Sequence, residues 1–186
     1  MANPELIDTK SKLRAHMRRL LRDASAVPQP ICEAVSHWLS SRPRLQTIAV
    51  FSALPGEINL TKIVGRHPER RWVYPRIDEN DLKFHIVKNP ALELVPGAFG
   101  VQEPSPSLPE IPTREIDAFL CPGLAFDARG GRLGRGRGFY DRMLANARPD
   151  AKKIGVCFPN QIVPDTFSEP HDIHMDAVLC GNPILL

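Results

Sequence analysis

The chain has 186 residues and a formal net charge of +3, with 42% hydrophobic and 24% charged residues. This length predicts one domain, residues 1–186, with enough core to fold without disulfides or a structural metal. No apolar run approaches the roughly 18 residues of a membrane span, and the first ten residues lack the apolar stretch of a secretory signal. The composition therefore predicts a globular, cytoplasmic protein without a membrane partner.

The cysteine pattern argues against two kinds of stabilising site. Cys32, Cys121, Cys157 and Cys180 are scattered and form no C-x-x-C pair, and three of them lie in apolar runs typical of strands. A structural zinc site or a disulfide framework would need a more regular spacing. We therefore expect reduced thiols in the core.

Two amphipathic helices are predicted near the start of the chain. In the segment Asp8–Asp23 apolar residues recur at helical spacing, and Asp8 is a candidate N-terminal cap. A second helix is expected from about Pro30 to Ser41, and Pro43 would end it. Each helix would bury one face.

The pattern then changes to short apolar or alternating runs, which are typical of strands. Strands are predicted at Thr47–Phe51, Arg71–Pro75, Leu82–Val87, Ile116–Cys121, Lys153–Phe158 and Ala177–Cys180, helices at Leu60–Arg66 and Phe139–Ala147, and an irregular segment at Val95–Pro112. This alternation indicates an α/β fold, which we expect to be a single-domain, three-layer α/β/α arrangement around a largely parallel, Rossmann-like sheet. The loops after Phe51, Cys121 and Phe158 are the candidate binding loops, because ligands bind beyond the carboxyl ends of such strands.

A loop rich in glycine and arginine follows the strand that ends at Cys121. Residues 129–142 contain five arginines and one acid, and Gly134, Gly136 and Gly138 alternate with two of the arginines. Glycines let backbone N–H groups approach a ligand, and the following helix presents its positive end to the same point. Together with the guanidinium groups, these features favour a polyphosphate ligand.

The loop matches neither of two common phosphate-binding signatures. It lacks G-x-x-x-x-G-K-[ST], and its G-x-G-x-G run lacks the G-x-G-x-x-G spacing of dinucleotide sites. A flexible basic loop that binds RNA is the alternative, although such segments are usually repetitive and terminal, whereas this one is single and internal. The sequence therefore favours phosphate binding over RNA binding.

The run from Gly131 to Asp141 (GRLGRGRGFYD), preceded by PGLAFD at 122–127, closely resembles the signature of the 5-formyltetrahydrofolate cyclo-ligase family, also called methenyltetrahydrofolate synthetases. Weaker similarities follow in the family's order: KSKLR at 10–14, PGEI at 55–58, YPR at 74–76, LKF at 82–84, FGVQEP at 99–104 and HDIHMD at 171–176. The resemblance implies a single α/β domain that binds ATP with Mg²⁺.

The resemblance assigns ATP contacts to the basic helix and the glycine loop. Lys10 and Arg14 lie one helical turn apart, and the matching family positions hold ATP phosphates; on the sequence alone they belong to a solvated basic face. The expected ATP contacts are Lys10, Arg14, Arg132, Leu133, Gly134, Arg135, Gly136, Arg137, Gly138, Phe139 and Tyr140. Arg135 and Arg137 are the candidate catalytic residues, because phosphoryl transfer requires charge neutralisation.

Asp141 and Asp172 are the candidate ligands of Mg²⁺. Asp141 falls in the first turn of a predicted helix, where the helix dipole alone would favour an acid by about 0.3–1 kcal/mol. An acid beside a polyphosphate loop is repulsive unless a cation bridges them, and Mg²⁺ prefers one or two carboxylates plus phosphate oxygens. The family match adds Asp172, whose alternative role is in an ordinary turn. His171 and His174 form H-x-x-H, but no third zinc ligand lies nearby.

The resemblance also implies a reduced-folate site. The family's acid at the position of Glu57 contacts the folate, and one carboxylate can accept the adjacent N–H donors of a pterin ring, whereas a lone loop glutamate is usually solvated. Ser52 and Phe139 are further candidates, and for Phe139 burial beneath its helix is an equal alternative. The expected substrate contacts are Ser52, Glu57, Arg135, Gly136, Arg137, Gly138 and Phe139.

The activity implied by the resemblance is ATP-dependent cyclisation of 5-formyltetrahydrofolate to 5,10-methenyltetrahydrofolate, with release of ADP and phosphate. The γ-phosphoryl group would move to the formyl oxygen, and folate N10 would then attack the activated carbon. The expected partners are ATP, Mg²⁺ and the folate, with or without a polyglutamate tail, and no nucleic acid; we expect a monomer. An RNA-binding module and a catalytically silent relative are the alternatives.

Overall fold

The strands and helices alternate along the chain, as the sequence predicts. The computed structural model describes residues 7–22 and 28–181. Its helices are α1 (Lys10–Arg22), α2 (Gln29–Ser40), α3 (Thr61–Arg66), α4 (Pro90–Glu93) and α5 (Phe139–Ala145). Its strands are β1 (Thr47–Ala49), β2 (Arg71–Asp78), β3 (Asp81–Ile86), β4 (Leu94–Pro96), β5 (Gln102–Pro104), β6 (Glu110–Ile111), β7 (Ala118–Cys121), β8 (Ala125–Phe126), β9 (Arg132–Leu133), β10 (Lys152–Val156) and β11 (Ala177–Leu179).

Seven of the described strands form one mixed sheet in the order β11-β10-β7-β1-β2-β3-β6. The strands from β11 to β2 are parallel, and β3 and β6 extend the sheet in antiparallel pairing. The parallel strands end at a common edge, with the loops after β1 and β7 side by side. This arrangement confirms the predicted α/β fold with a largely parallel sheet.

Each face of the sheet is covered by helices. On one face, Ile48 of β1 packs in a core cluster with Val35 of α2 and Ile63 of α3. On the other face, Ala49 packs in a second cluster with Met143 of α5. Ile48 and Ala49 face opposite sides because side chains alternate along a strand. The three-layer arrangement therefore follows from short strands that are apolar on both faces.

Helix α1 packs on a hairpin rather than on the sheet. Its buried residues Leu13, Met17 and Leu21 form a third cluster with Ala125 and Leu133, which lie in the paired strands β8 and β9. This hairpin lies within the loop that precedes α5, and the sequence did not predict it. Two-residue strands carry no periodic signal. The hairpin joins α1 to the start of the glycine loop.

Two local predictions need correction. The N–H of Lys12 donates to the side chain of Thr9 at 3.3 Å, whereas Asp8 forms an ion pair with the Lys12 ammonium at 2.9 Å, so Thr9 caps α1. Asp23, the predicted last residue of this helix, lies outside the described residues. The segment predicted to be irregular, Val95–Pro112, contains β5, β6 and most of β4. Prolines are tolerated there because they lie at strand ends and sheet edges.

All four cysteine side chains are buried. Cys121 ends β7, and burial raises the pKa of its thiol to about 12. A buried, protonated thiol is a core residue rather than a nucleophile. No helix in residues 7–22 and 28–181 is long and apolar enough to cross a membrane.

Asp117 joins the start of β1 to the segment that follows α5. Its carboxylate accepts the N–H groups of Gln46 and Thr47 at 2.7 and 2.8 Å and a guanidinium N–H of Arg148 at 2.8 Å. Burial alone would raise the pKa of Asp117, but these hydrogen bonds outweigh it, and the pKa is lowered from its usual value. The charged form is therefore the one that stabilises the fold.

We expect Asp117→Asn to lower the free energy of unfolding at pH 7 by about 1–3 kcal/mol, because three donors lose a charged acceptor. A carboxyl group with a lowered pKa stabilises the protein above its unfolded-state pKa, about 3.9, and loses this effect as the pH falls further. The difference between wild type and variant in urea titrations should therefore shrink below pH 4. Asp150→Asn, at an exposed partner of Arg148, is the control. A difference that stays constant down to pH 2 would contradict this account.

The hairpin lies against the sheet through one buried aromatic ring. Phe126 is fully buried, and a Cβ atom built on Gly155 of β10 would lie 2.6 Å from its ring. Real Cβ atoms do not approach a ring this closely, so the ring or the strand would have to move. Glycine at position 155 is thus required by the close approach of the hairpin.

We expect Gly155→Ala to lower the free energy of unfolding by about 1–3 kcal/mol through overpacking. Gly65→Ala is the matched control, because a Cβ atom there meets nothing within 4 Å. In helix α3 that change should raise stability by about 0.5–1 kcal/mol, since alanine favours a helix more than glycine does. Urea titrations of both variants measure the two effects, and a neutral or stabilising Gly155→Ala would contradict the packing argument.

Candidate active site

A cleft of ≈ 1160 Å³ opens beyond the carboxyl ends of the parallel strands. Its wall includes the loops that follow β1 and β7, as expected, together with α1 and the segment 167–172. The loop directly after Phe158 was also a candidate, but residues 159–166 do not line the cleft. Every residue that the sequence singled out as an ATP, folate or metal contact lines this cleft.

Helix α1 holds the backbone of the glycine loop. Nε of Arg14 donates to the carbonyl of Gly134 at 3.1 Å, and Nη2 of Arg18 donates to the carbonyl of Arg135 at 3.0 Å. Arg14 and Arg18 are one helical turn apart, so two neighbouring side chains bind two consecutive carbonyls. Arg18 was not among the residues expected at the site; its four-residue spacing from Arg14 is the signal that could have identified it.

The glycines of the loop adopt conformations that other residues avoid. Gly136 and Gly138 have φ angles of 106° and 68°. Gly138 is the residue immediately before α5, so the chain turns into the helix through a left-handed residue. Residues other than glycine would be strained at both positions. The predicted role of these glycines in shaping the backbone is therefore supported by their conformation.

The candidate folate acid is paired with a loop arginine. Nε and Nη2 of Arg135 both donate to Oε1 of Glu57, at 3.1 and 2.9 Å. Oε2 of Glu57 accepts the N–H of Leu54 at 3.0 Å, and the Glu57 side chain is only 7% exposed. The backbone bond orients this carboxylate toward the loop. The expected pterin contact and an expected phosphate contact thus touch each other.

Arg132 lies beneath the cleft and orients Asp141. Its guanidinium is 3% exposed, donates from Nη2 to Oδ1 of Asp141 at 2.9 Å, and lies 5.2 Å from the ring centroid of Tyr140. Its Nε is buried and has no hydrogen-bond partner among the residues that the structure describes. Burial raises the pKa of Tyr140 well above its usual value. Arg132 therefore fixes the position of the Asp141 carboxylate.

Lys10 forms a second ion pair at the rim. Its ammonium lies 2.5 Å from Oδ2 of Asp172 and 3.1 Å from Glu169. Burial alone would lower the pKa of Lys10, but these two acids outweigh it and raise that pKa. Burial alone would raise the pKa of Asp172, but the N–H of Glu169 and the Lys10 ammonium lower it. Both side chains are therefore charged.

The structure brings the two candidate metal ligands to one wall of the cleft. The N–H of Ile173, the residue after Asp172, donates to Oδ1 of Asp141 at 3.4 Å. Arg132 and Ile173 both bind this oxygen, and within the described ranges no donor is bonded to Oδ2. Two nearby carboxylates, one with an available oxygen, suit a hard divalent cation.

Asp172 also belongs to an acidic cluster that is already paired with a cation. Ligand atoms of Glu169, His171 and Asp172 all lie within 4.8 Å of one another, but Lys10 is bound between the two acids. Nδ1 of His174 instead bonds the carbonyl of Arg129 at 3.0 Å. The two histidines of the H-x-x-H motif therefore do not converge on one point.

The mouth of the cleft carries an aromatic side chain that the sequence interpretation missed. Phe99 is 59% exposed, has a left-handed backbone with φ 56°, and lies 4.1 Å below the guanidinium of Arg137. Its place as the first residue of the FGVQEP motif is the signal that could have identified it. Ser52 and Phe139 also line the cleft: Oγ of Ser52 is buried and has no hydrogen-bond partner within the described part of the chain, and the Phe139 ring lies under Arg142. The cleft therefore has both apolar surface and unsatisfied polar atoms.

Known proteins resemble this chain over nearly its whole length. A model of the 5-formyltetrahydrofolate cyclo-ligase family matches residues 6–181. The 5-formyltetrahydrofolate cyclo-ligase of Mycolicibacterium smegmatis is 34% identical over 185 residues. The similarity covers 92% of this chain and 93% of that protein. The 5-formyltetrahydrofolate cyclo-ligase of Haemophilus influenzae is 25% identical, and the similarity covers 92% of this chain and 97% of that protein.

Two solved structures resemble the fold. The 5,10-methenyltetrahydrofolate synthetase of Aquifex aeolicus superimposes with a TM-score of 0.81 at 28% identity, over 94% of this chain and 91% of the other. The synthetase of Mycoplasma pneumoniae gives 0.76 at 22% identity, over 92% and 98%, a likeness that concerns the fold alone. Motifs, fold and similarities agree, and the chain belongs to the 5-formyltetrahydrofolate cyclo-ligase family.

Proposed function

We propose that this chain uses ATP and Mg²⁺ to convert 5-formyltetrahydrofolate into 5,10-methenyltetrahydrofolate, releasing ADP and phosphate. One observation carries the proposal: Glu57, the candidate pterin acceptor, lies 2.9 Å from Arg135, a candidate phosphate contact. The reaction needs a γ-phosphoryl group to reach an oxygen attached to the pterin ring. A cleft in which the two recognition groups touch would bring those atoms together.

ATP would occupy the basic wall of the cleft. Lys10 and Arg14 approach the glycine loop from α1, and Gly136 and Gly138 shape its backbone. Amide N–H groups and guanidinium groups together bind phosphate oxygens well. The remaining ATP contacts that we propose are Arg132, Leu133, Gly134, Arg135, Arg137, Phe139 and Tyr140, with Arg132 acting through Asp141.

The folate would occupy the wall formed by the loop after β1. Glu57 would accept the adjacent N–H donors of the pterin, and Ser52 offers a buried hydroxyl that no residue in 7–22 or 28–181 bonds. Phe99 and Phe139 would provide apolar surface for flat rings. The loop residues Arg135–Gly138 would then lie between the two substrates.

The donor set at Asp141 and Asp172 fits Mg²⁺, which takes carboxylate and phosphate oxygens. When bound there, the ion would offset phosphate charge and help to align the γ-phosphoryl group. Arg132 holds Asp141 in the orientation that this role needs. Lys10 pairs with Asp172 and Glu169 and would move toward the phosphates when nucleotide binds.

The chemistry would depend on alignment and charge rather than on a protein nucleophile. The formyl group is an amide whose oxygen leaves poorly, and phosphorylation makes it a good leaving group. Arg135 and Arg137 would neutralise charge on the transferring group, while Glu57 holds the pterin so that N10 can attack the activated carbon. That attack forms the N10–carbon bond and closes the five-membered ring. N10 then loses its proton, and the carbon–oxygen bond breaks to release phosphate and leave the 5,10-methenyl product.

The acids in the cleft argue for a discrete ligand rather than an RNA strand. Glu57, Asp141 and Asp172 lie among the arginines and would repel a continuous phosphate backbone.

We propose that the chain acts as a one-domain monomer. The direct test is to incubate the protein with 5-formyltetrahydrofolate, Mg²⁺ and ATP and to follow the absorbance of the methenyl product. Signal that persists without ATP, or none with it, would contradict the proposal.

We expect Asp141→Asn to lower kcat by about 100-fold or more, because charge neutralisation at the phosphoryl group is a large part of catalysis. Asparagine keeps an oxygen for the Arg132 guanidinium, so the fold should survive, as circular dichroism and urea titration would check. Asp150→Asn removes an exposed acid remote from the cleft and should leave kcat unchanged. Full activity of Asp141→Asn at limiting Mg²⁺ would remove Asp141 from the metal site.

We expect Glu57→Gln to raise KM for the folate by about 10-fold or more, since a charged acceptor for two donors is lost. KM for ATP should stay the same or fall, because Arg135 is released from its partner. Steady-state titration of each substrate at saturation of the other measures the two effects. Glu115→Gln, in an exposed turn, is the control. A rise in KM for ATP alone would contradict the assignment of Glu57 to folate.

A further inference from the structure

Asp127 is a buried acid that the proposed chemistry does not use. It ends the PGLAFD motif and is 1% exposed, and it does not line the cleft. An ionised carboxylate is costly to bury unless hydrogen bonds satisfy it. The bonds that Asp127 accepts therefore indicate why an acid occupies this position.

Four hydrogen bonds converge on the Asp127 carboxylate. Oδ1 accepts the N–H groups of Arg129 and Gly131 at 2.9 and 3.0 Å, which closes the turn between β8 and β9. Oδ2 accepts the N–H and the hydroxyl of Thr166 at 3.0 and 2.6 Å. One oxygen thus shapes a local turn, and the other binds a residue 39 positions away.

The atoms around this carboxylate are packed so closely that a larger residue at position 131 would not fit. A Cβ atom on Gly131 would lie 2.2 Å from the Thr166 hydroxyl and 2.4 Å from Asp127. Thr166 itself is fully buried. Burial alone would raise the pKa of Asp127, but the bonds from Thr166, Arg129 and Gly131 lower it to about 2. Asp127 is therefore a charged, rigid link between two segments.

Both linked segments lead directly into the cleft. On one side, β9 continues into the glycine loop. On the other, Thr166 begins the segment that carries Asp172 and Ile173. Two more bonds join the same segments, from the N–H of Met175 to the carbonyl of Gly130 at 2.8 Å and between His174 and Arg129 at 3.0 Å. The turn is thus attached to both ends of the segment 166–175.

We propose that Asp127 is a positioning residue for nucleotide binding, because its two oxygens set the distance between the glycine loop and the segment that carries Asp172. This inference rests on the proposed function, in which phosphates and Mg²⁺ bridge those two segments. Asp127 acts only through the groups it holds. Removing its link to Thr166 lets the two walls move independently, and a ligand that spans both is bound less tightly.

The chain offers variants that separate positioning from general stability. Asp127→Asn keeps one oxygen for the turn but presents an NH₂ group to the N–H of Thr166. Thr166→Val replaces the hydroxyl with a methyl group, whereas Thr166→Ser keeps the hydroxyl. Leu39→Ala removes buried volume from α2 in the core of the opposite sheet face, so it destabilises the protein far from the link.

The experiment combines calorimetric titration of ADP with Mg²⁺, titration of 5-formyltetrahydrofolate, and hydrogen exchange of the ligand-free protein. We expect Asp127→Asn to raise the Kd of ADP with Mg²⁺ by about 10–100-fold, as loss of supporting partners does at metal sites. Thr166→Val should raise it by about 2–10-fold, and Thr166→Ser should bind close to wild type. Exchange should increase in both 131–138 and 166–173, while the Kd of the folate changes little.

Several outcomes would overturn the inference. Leu39→Ala, at equal loss of thermal stability, must not weaken nucleotide binding as much as Asp127→Asn; if it does, the role of Asp127 is merely structural. Faster exchange confined to 131–138 would show that the segments are not linked through this acid. If Asp127→Asn does not fold, Thr166→Val and Thr166→Ser decide between the two roles. Wild-type protein that fails to bind ADP with Mg²⁺ would instead contradict the proposed function itself.

Discussion

The candidate site depends on one constraint, the mutual repulsion of many cations around a short loop. Five arginines lie within residues 129–142, and Lys10, Arg14 and Arg18 approach from α1. Without partners, these charges would oppose the compact loop. In the structure, acids and carbonyls pair with these cations. Glu57 binds Arg135, Asp141 binds Arg132, and Asp172 binds Lys10. Loop carbonyls bind Arg14 and Arg18.

These partners come from different parts of the fold, and the parallel sheet brings them together. Glu57 follows β1, Asp141 begins α5, and Asp172 precedes β11. Strands that run in one direction end at one edge, so loops distant in sequence become neighbours there. The sheet therefore does more than bury apolar area, because it collects the counter-charges that the glycine loop requires. The hairpin β8–β9 and α1 complete the wall on the remaining side.

The sequence predicted the layers of the fold and the location of the cleft, because both follow from periodic apolar residues and from strand direction. It could not predict the ion pairs, since Glu57 and Arg135 are 78 residues apart and Lys10 and Asp172 are 162 apart. Nothing local to Lys10 distinguishes it from the other basic residues of its helix. The β8–β9 hairpin was missed because two-residue strands show no alternation. Asp127 was seen as part of a motif, but its bonds to Thr166 exist only in the folded chain.

The pairing of Glu57 with Arg135 and of Asp172 with Lys10 has a consequence for ionic strength. A bare basic loop that binds a polyanion releases condensed counterions, and its affinity falls steeply as salt is added. Here Arg135 and Lys10 are held by internal carboxylates, so a phosphate that binds them exchanges places with a protein acid rather than with salt from the solvent. Such an exchange leaves the number of displaced ions small. The affinity of this cleft for its anionic ligands should accordingly vary only weakly between low and moderate salt.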